Sequence, residues 1–396
     1  MIDSIKKLNH IAHQPVRKII GLMSGTSLDG LDIALCEVSG NGITTKINLL
    51  EFDTIDYDTE FRDEIKTIFS RKNIELEKLC LLNEWIGKVH AAMINKKLSD
   101  WNINKNEIDL IASHGQTIYH APESLHKNFN FGNGTLQIGD GDHIAVNTGI
   151  ITICDFRQKH IAAGGEGAPL AAYGDFLLYA QKEKEMVLLN IGGISNLTYI
   201  PAGCGFEKII CTDIGPGNNL MDMWISKHFP EKYFDQDAAL AKSGEVNATL
   251  LATLKSHSFF RLTFPKTTGP ELFNLAFIEK AILESETESI SIEDVMATLN
   301  KFTADIICHA IHHFISANPN CEILISGGGA HNPLLFSGIK ESLSNHSVSI
   351  APNADAKEAM LFALLANEMI AGDKNIFGKG SEKMPNVSMG KICLPE

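Results

Sequence analysis

Residues 21–30 read Gly21-Leu-Met-Ser-Gly-Thr-Ser-Leu-Asp-Gly30 and lie between two strand-like runs, Val16 to Ile20 and Leu31 to Val38. A glycine- and hydroxyl-rich turn joining two strands is a way of aiming backbone N–H and side-chain O–H groups at a phosphate. Gly25 and Gly30 permit positive φ or a close backbone approach. Ser24, Thr26 and Ser27 add donors, and Asp29 is able to hold a cation or order a water. No lysine follows the second glycine and a hairpin, not a helix, comes next, so this is not a P-loop. Taken alone, the stretch is explained equally well as an ordinary polar hairpin turn.

A second stretch repeats the device. Met186 to Ile200 runs Val-Leu-Leu-Asn190-Ile-Gly192-Gly193-Ile-Ser195-Asn196-Leu-Thr-Tyr-Ile, again an apolar strand, a Gly/Ser/Asn turn and an apolar strand. One such hairpin in each half of the chain suggests two related lobes clasping one ligand. Glu322 to Ile325 leads into Gly327-Gly328-Gly329, where bare backbone suits a flat group such as a nucleotide base and ribose. Glu107 to Ala112 reads as a strand ending at Ser113-His114-Gly-Gln-Thr117, and Lys208 to Thr212 as a strand ending at Asp213 ahead of a helix, Leu220 to His228. Polar residues past the carboxyl ends of strands are where open α/β sheets place ligands. Asp213 there suits a base or a metal ligand, although an Asp before Gly-Pro is also a common turn former. His114 taken by itself is best read as a loop histidine capping a neighbour.

The 396 residues suffice for two or three domains with well-buried cores. Apolar content of 44%, charged content of 21% and a net charge of −14 describe a soluble globular chain to which duplex nucleic acid and anionic membrane surfaces are unsuitable partners. No apolar run reaches transmembrane length, residues 1–15 read as a polar leader without signal-peptide character, and the eight cysteines show no paired spacing, so a reducing, cytoplasmic compartment is expected. Further along, Lys46 to Tyr57 reads as a strand, residues 59–71 and 74–98 as helices, and Ser291 to Ile315 as the most regular helix. His309 and His313 share a face of that helix at i, i+4, but no third ligand accompanies them. Ala162 to Pro169 is a glycine-rich loop close to a domain crossover. A last helix, Lys357 to Ala371, carries Glu358 in its first turn, where the helix dipole alone accounts for it; residues 372–396 read as an irregular tail.

Together these motifs, with Asp155-Phe-Arg157 and Gly164-Gly-Glu-Gly-Ala-Pro-Leu170, resemble the anhydro-N-acetylmuramic acid kinase family nearly from end to end. The resemblance implies an α/β protein of the actin-like ATPase group: two RNase H-like lobes with an interdomain nucleotide cleft, ATP and Mg²⁺. The lobes are expected at 1–154 with 371–396, carrying the first phosphate hairpin, and at 155–370, carrying the second hairpin and the catalytic aspartate. It implies that Ser24, Gly25, Thr26, Ser27, Leu28, Asp29, Gly30 and Leu31 hold phosphates, with Gly192 and Gly193 from the second lobe, and that Gly327, Gly328 and Gly329 line the adenosine. Asp213 matches the family's catalytic base and Glu358 a substrate-binding carboxylate; His114 and Arg157 are further expected to bind substrate. No residue is singled out as a metal ligand.

The implied reaction opens the internal acetal of 1,6-anhydro-N-acetylmuramic acid with water while O6 takes the γ-phosphoryl group, a step in recycling cell-wall fragments. Its partners are that sugar and ATP, and a homodimer is left open. Two positions depart from the family pattern: His160 stands where an Asp is expected and Glu166 where a Gln is expected, which puts sugar specificity or rate in doubt. An assembly-type actin-like ATPase and a kinase for another amino sugar are the alternatives.

Overall fold

The computed structural model describes residues 3–128, 130–315, 321–373, 377 and 385–396. The chain forms two compact units, Met1–Leu178 with Gly205–Glu207 and Asp355–Glu396, and Tyr179–Cys204 with Lys208–Ala354.

In the first unit, β1 (Val16–Ser24), β2 (Gly30–Ser39) and β3 (Lys46–Asp56) form an antiparallel meander. β4 (Leu110–Ala121) joins β1 in parallel, and β5 (Gly134–Ile138) pairs with its far end. Parallel to β4 runs β6 (Thr152–Cys154). In the second unit β7 (Glu185–Ile191), β8 (Ile194–Ile200) and β9 (Ile210–Pro216) form another meander. β10 (Cys321–Ser326) lies parallel to β7, and β11 (Ser347–Ile350) parallel to β10. A last strand, β12 (Lys391–Cys393), returns to the first sheet antiparallel to β6. The order β3-β2-β1-β4-β6 in one unit is the order β9-β8-β7-β10-β11 in the other, with the same strand directions. Each unit is therefore an RNase H-like α/β layer, and its opening hairpin is the glycine hairpin of the sequence.

Alternation along β1 and β2 sorts their side chains to two faces. Ile20 and Leu22 pair with Leu35 and Ile33, and these pack with Leu82, Ile86 and Ile94 of the helix Leu76–Asp100. On the other face Gly21 pairs with Ala34, and the helix Lys357–Ala371 crosses there. Two small residues opposite one another let the helix backbone approach the sheet; a Cβ at position 21 would run into the carbonyl oxygen of Ala359. In the second unit the helix Ile292–Phe314, capped by Ser291 through the Asp294 amide, buries Leu299, Phe302, Ile306 and Ala310 among Val187, Leu189 and Leu197.

Several boundaries differ from the sequence reading. Residues 155–178 and 355–371 pack with the first unit, so the divisions set at 154 and 370 fall inside it. The supposed leader forms a helix, Asp3–His13, held by Arg17, whose Nε and Nη2 donate to the carbonyls of Ile11 and Ala12 at 2.8 Å each. β4 continues through His114, and β9 through Asp213, instead of ending before them. The expected irregular tail contains β12, which its pairing with β6 orders, while residues 374–376 and 378–384 lie outside the described residues.

Gly21→Ala is expected to lower stability by about 1–3 kcal/mol, the usual range for overpacking. A urea melt reads it, and an unchanged midpoint would show that the helix does not sit tightly on the sheet.

Candidate active site

The β1–β2 turn divides its work unevenly. Thr26, Ser27 and Asp29 are exposed, and Gly25 faces open space, where a Cβ would meet only Ser27 Oγ, at 3.5 Å. The positive φ of the turn falls on Leu28 (φ 60), whose side chain is anchored in the core. Gly30 is a packing glycine, since a Cβ would lie 2.6 Å from the Ile55 carbonyl oxygen. Arg62 clamps the base of the turn, donating from Nε to the carbonyl of Leu28 at 3.1 Å and from Nη2 to that of Asp29 at 3.2 Å.

Ser24 is not a free donor. It is buried, its hydroxyl donates to Gln116 Oε1, and it accepts from Tyr57 Oη at 2.8 Å; Tyr57 also meets His90 Nε2 at 2.9 Å. Burial pushes the His90 pKa down to about 4 and the tyrosine's well above its ordinary value, so this network is neutral and fixes the start of the turn from beneath.

Beside the turn stands a charged group. Arg157 Nε donates to His114 Nε2 at 3.0 Å and Nη1 to the Gly167 carbonyl at 2.7 Å. His114 is buried, its ring 4.8 Å from that of Phe362, and burial together with the Arg157 charge lowers its pKa to about 3. Nε2 therefore serves as an acceptor for Arg157. Glu358, at the first turn of the Lys357–Ala371 helix, feels the same guanidinium, but lost hydration and the negative charge of Asp32 raise its pKa. Asp32 is itself raised by desolvation, against the hydrogen bond from Thr54 Oγ1 at 2.6 Å, with Asp355 and Asp29 adding to the effect. Negative charge thus accumulates beside the exposed turn. Among the described residues no three His, Cys, Asp or Glu side chains converge to hold a metal unaided.

His160 has a structural role. It is fully buried, its Nδ1 accepts the Gly167 amide at 3.0 Å, and Gly165 has no room for a side chain against its ring. In this chain His160 therefore holds the glycine loop by accepting the Gly167 amide.

In the second unit the Gly192-Gly193 turn is gripped by its carbonyls. The amides of Gly217, Asn218 and Asn219 donate to Gly193, Gly192 and Gly193 at 2.8, 2.8 and 3.2 Å. Neither glycine is needed for packing, the nearest atoms to a Cβ being at 3.6 and 3.7 Å. Gly327 and Gly329, by contrast, are tight against Asn190 and Ile191, while Gly328 is open and lines a cavity of about 410 Å³. Asn218, Asp222, Asp235, Asp237 and His331 also line it. Burial raises the Asp222 pKa to about 6. Sequence reading passed over these carboxylates: Asp222 lies within the helix Asn219–His228, and Asp235 and Asp237 in the short turn that follows it.

Asp213 sits in β9 beside the loop beginning at Lys266. Its amide donates to the Lys266 carbonyl at 2.9 Å, and its Oδ2 accepts the Thr268 amide at 2.9 Å. Desolvation outweighs that bond and raises the carboxyl pKa. The result is an oriented carboxylate more basic than one in water. Thr268 was not singled out in the sequence, because its contribution is a backbone amide.

The model of a family described as anhydro-N-acetylmuramic acid kinase matches residues 17–392. A protein of that name from Pseudoalteromonas atlantica is 49% identical over 401 residues, covering 100% of both chains. One from Caldanaerobacter subterraneus subsp. tengcongensis is 39% identical over 394 residues, covering 98% of this chain and 100% of its own. Among solved structures, the activator of the 2-hydroxyisocaproyl-CoA dehydratase from Clostridium difficile with bound ADPNP aligns over 89% of this chain and 95% of its own, with 10% identity and a TM-score of 0.42.

The ring nitrogens of His90 and His114 are expected to stay neutral from about pH 8 to pH 5, outside the usual histidine range. Nitrogen chemical shifts measured across that range check this, and titration of either ring near the ordinary value would place it in water.

Proposed function

The chain belongs to the anhydro-N-acetylmuramic acid kinase family, and we propose that it uses ATP to convert 1,6-anhydro-N-acetylmuramic acid to N-acetylmuramic acid 6-phosphate. The observation that carries this reading is Asp213: one carboxylate oxygen is fixed by an amide, and the pKa is raised by lost hydration. A general base works best when its pKa approaches the working pH, and this environment moves Asp213 in that direction. Asp213 takes a proton from water as the water oxygen bonds to C1. The C1–O6 bond breaks, and O6 takes the γ-phosphoryl group as the bond from phosphorus to the bridging oxygen of ADP breaks. The departing O6 is trapped by phosphorus, so no separate acid is required.

The open backbone at Gly25, the exposed Thr26 and Ser27 hydroxyls and the uncrowded Gly192-Gly193 turn suit phosphate oxygens, and the cavity beside Gly328 suits a nucleoside, its carboxylates accepting from ribose hydroxyls. Glu358 and Arg157 are proposed to orient the sugar, with His114 holding the guanidinium. Mg²⁺ is proposed to arrive with ATP: the accumulated charge of Asp29 and Asp32 fits a cation held mainly by phosphates and water, which would neutralise charge on the phosphates. A cytoplasmic setting accords with the substrate, and among the described residues no helix is long and apolar enough to cross a membrane.

Asp213→Asn is expected to reduce turnover by about 10²–10⁴-fold, the range for a lost general base, with folding and ATP binding retained. A coupled ADP-release assay with the anhydro-sugar, alongside calorimetric ATP titration, measures both. Near-normal turnover would remove Asp213 from the mechanism.

A further inference from the structure

Two thiols of the first unit stand apart from the groups assigned above. Cys154 ends β6, Cys393 ends β12, and their sulfurs lie 3.6 Å apart. In the strand register Cys154 faces Lys391 and Cys393 faces Thr152, so the two cysteines are diagonal neighbours projecting to one side of the sheet. They meet because residue 141 is glycine: a Cβ there would lie 2.6 Å from Cys154 Sγ and 2.8 Å from Cys393 Sγ. Gly141 opens the helix Gly141–Thr148, capped by Asp140, so a helix N-terminus faces the pair. Both cysteines are half-buried and line a cavity of about 560 Å³, which gives small solutes a route to them.

We propose that Cys154 and Cys393 are a modification site, forming a reversible disulfide when the protein meets a peroxide and so tying the C-terminal strand β12 to β6. Cys154 is the attacking thiol. The contact with the Cys393 thiol and the Gly141 amide at the helix N-terminus bring its pKa below the ordinary value, against burial and the charges of Asp155 and Asp140. Cys393 is shifted the other way by the same contact, by burial and by Asp142. The Cys154 sulfur attacks one peroxide oxygen and the O–O bond breaks, leaving a sulfenic acid on Cys154 and a hydroxide that takes the thiol proton as water. The Cys393 sulfur then attacks the sulfenic sulfur. The S–S bond forms, the S–O bond breaks, and the departing hydroxide takes the Cys393 proton as a second water. Two thiols are oxidised by two electrons and the peroxide is reduced to two waters.

Closure requires the sulfurs to approach from 3.6 Å to about 2.05 Å. β12 is three residues long and hydrogen-bonded along one edge only, so the strand is free to yield. The bond would brace the strand that leads into Asp155, already paired with Lys391, and on to Arg157.

The test treats the full chain with hydrogen peroxide, alkylates the remaining thiols and maps the peptides without reduction. The expected result is the loss of two of the eight free thiols, a Cys154–Cys393 cross-linked peptide and its reversal by dithiothreitol. In Cys393→Ser the sulfenic acid on Cys154 should persist and be trapped by dimedone, whereas Cys154→Ser should leave Cys393 unmodified. Oxidation confined to other cysteines, such as the exposed Cys80, or the lack of a dimedone adduct on Cys154 in folded Cys393→Ser, would overturn the proposal. The wild-type map requires no variant to fold.

Discussion

The close seat of the Lys357–Ala371 helix on the first sheet is the contact on which the first unit's chemistry depends. It exists because Gly21 and Ala34 face each other where any larger pair would hold the helix away. The helix then delivers three things at once. Its first turn carries Glu358 into the field of Arg157. Phe362 supports the rings of His114 at 4.8 Å and Phe156 at 5.2 Å. Asn367 accepts from Arg17, and the buried Glu368 accepts from Gly42 and Thr45, tying the helix's end to the β2–β3 connection. A carboxylate buried that far is retained only because donors surround it. Moving the helix outward would therefore disturb both the Glu358 carboxylate and the rings packed beside Arg157.

Much of this arrangement was legible in the sequence because its signals are local. Both hairpins declare themselves through glycine and hydroxyl residues between apolar runs, and the helix Ile292–Phe314 through its periodic stripe. What the sequence concealed depends on distant partners. Gly21 and Gly30 look like ligand glycines, yet each makes room for backbone brought from elsewhere in the chain. Ser24 looks like a phosphate donor, but Gln116 and Tyr57 claim it. His114 and Asp213 lie inside strands that their polar neighbours disguise as loops: Ser113, His114 and Gln116 are buried polar residues, which alternation rules do not anticipate. The unit boundaries were misplaced for the same reason, since the Lys357–Ala371 helix shows an apolar surface without showing which sheet receives it.

The two units use one topology for different tasks. In the first, neutral buried hydrogen bonds hold an exposed turn and a set of charges lies alongside it. In the second, the glycine turn is held by its carbonyls, and two carboxylates, Asp213 and Asp222, are both made more basic by lost hydration. Asp213 is thereby suited to accept a proton from water, the step that separates this reaction from ordinary hydroxyl phosphorylation.

That step is tested most directly by turnover in water enriched in oxygen-18, with prompt mass analysis of the products. If Asp213 activates water for attack at C1, the heavy oxygen appears in the sugar's new anomeric hydroxyl and is absent from the phosphate. Heavy oxygen in the phosphoryl group, or an unlabelled sugar, would contradict the account.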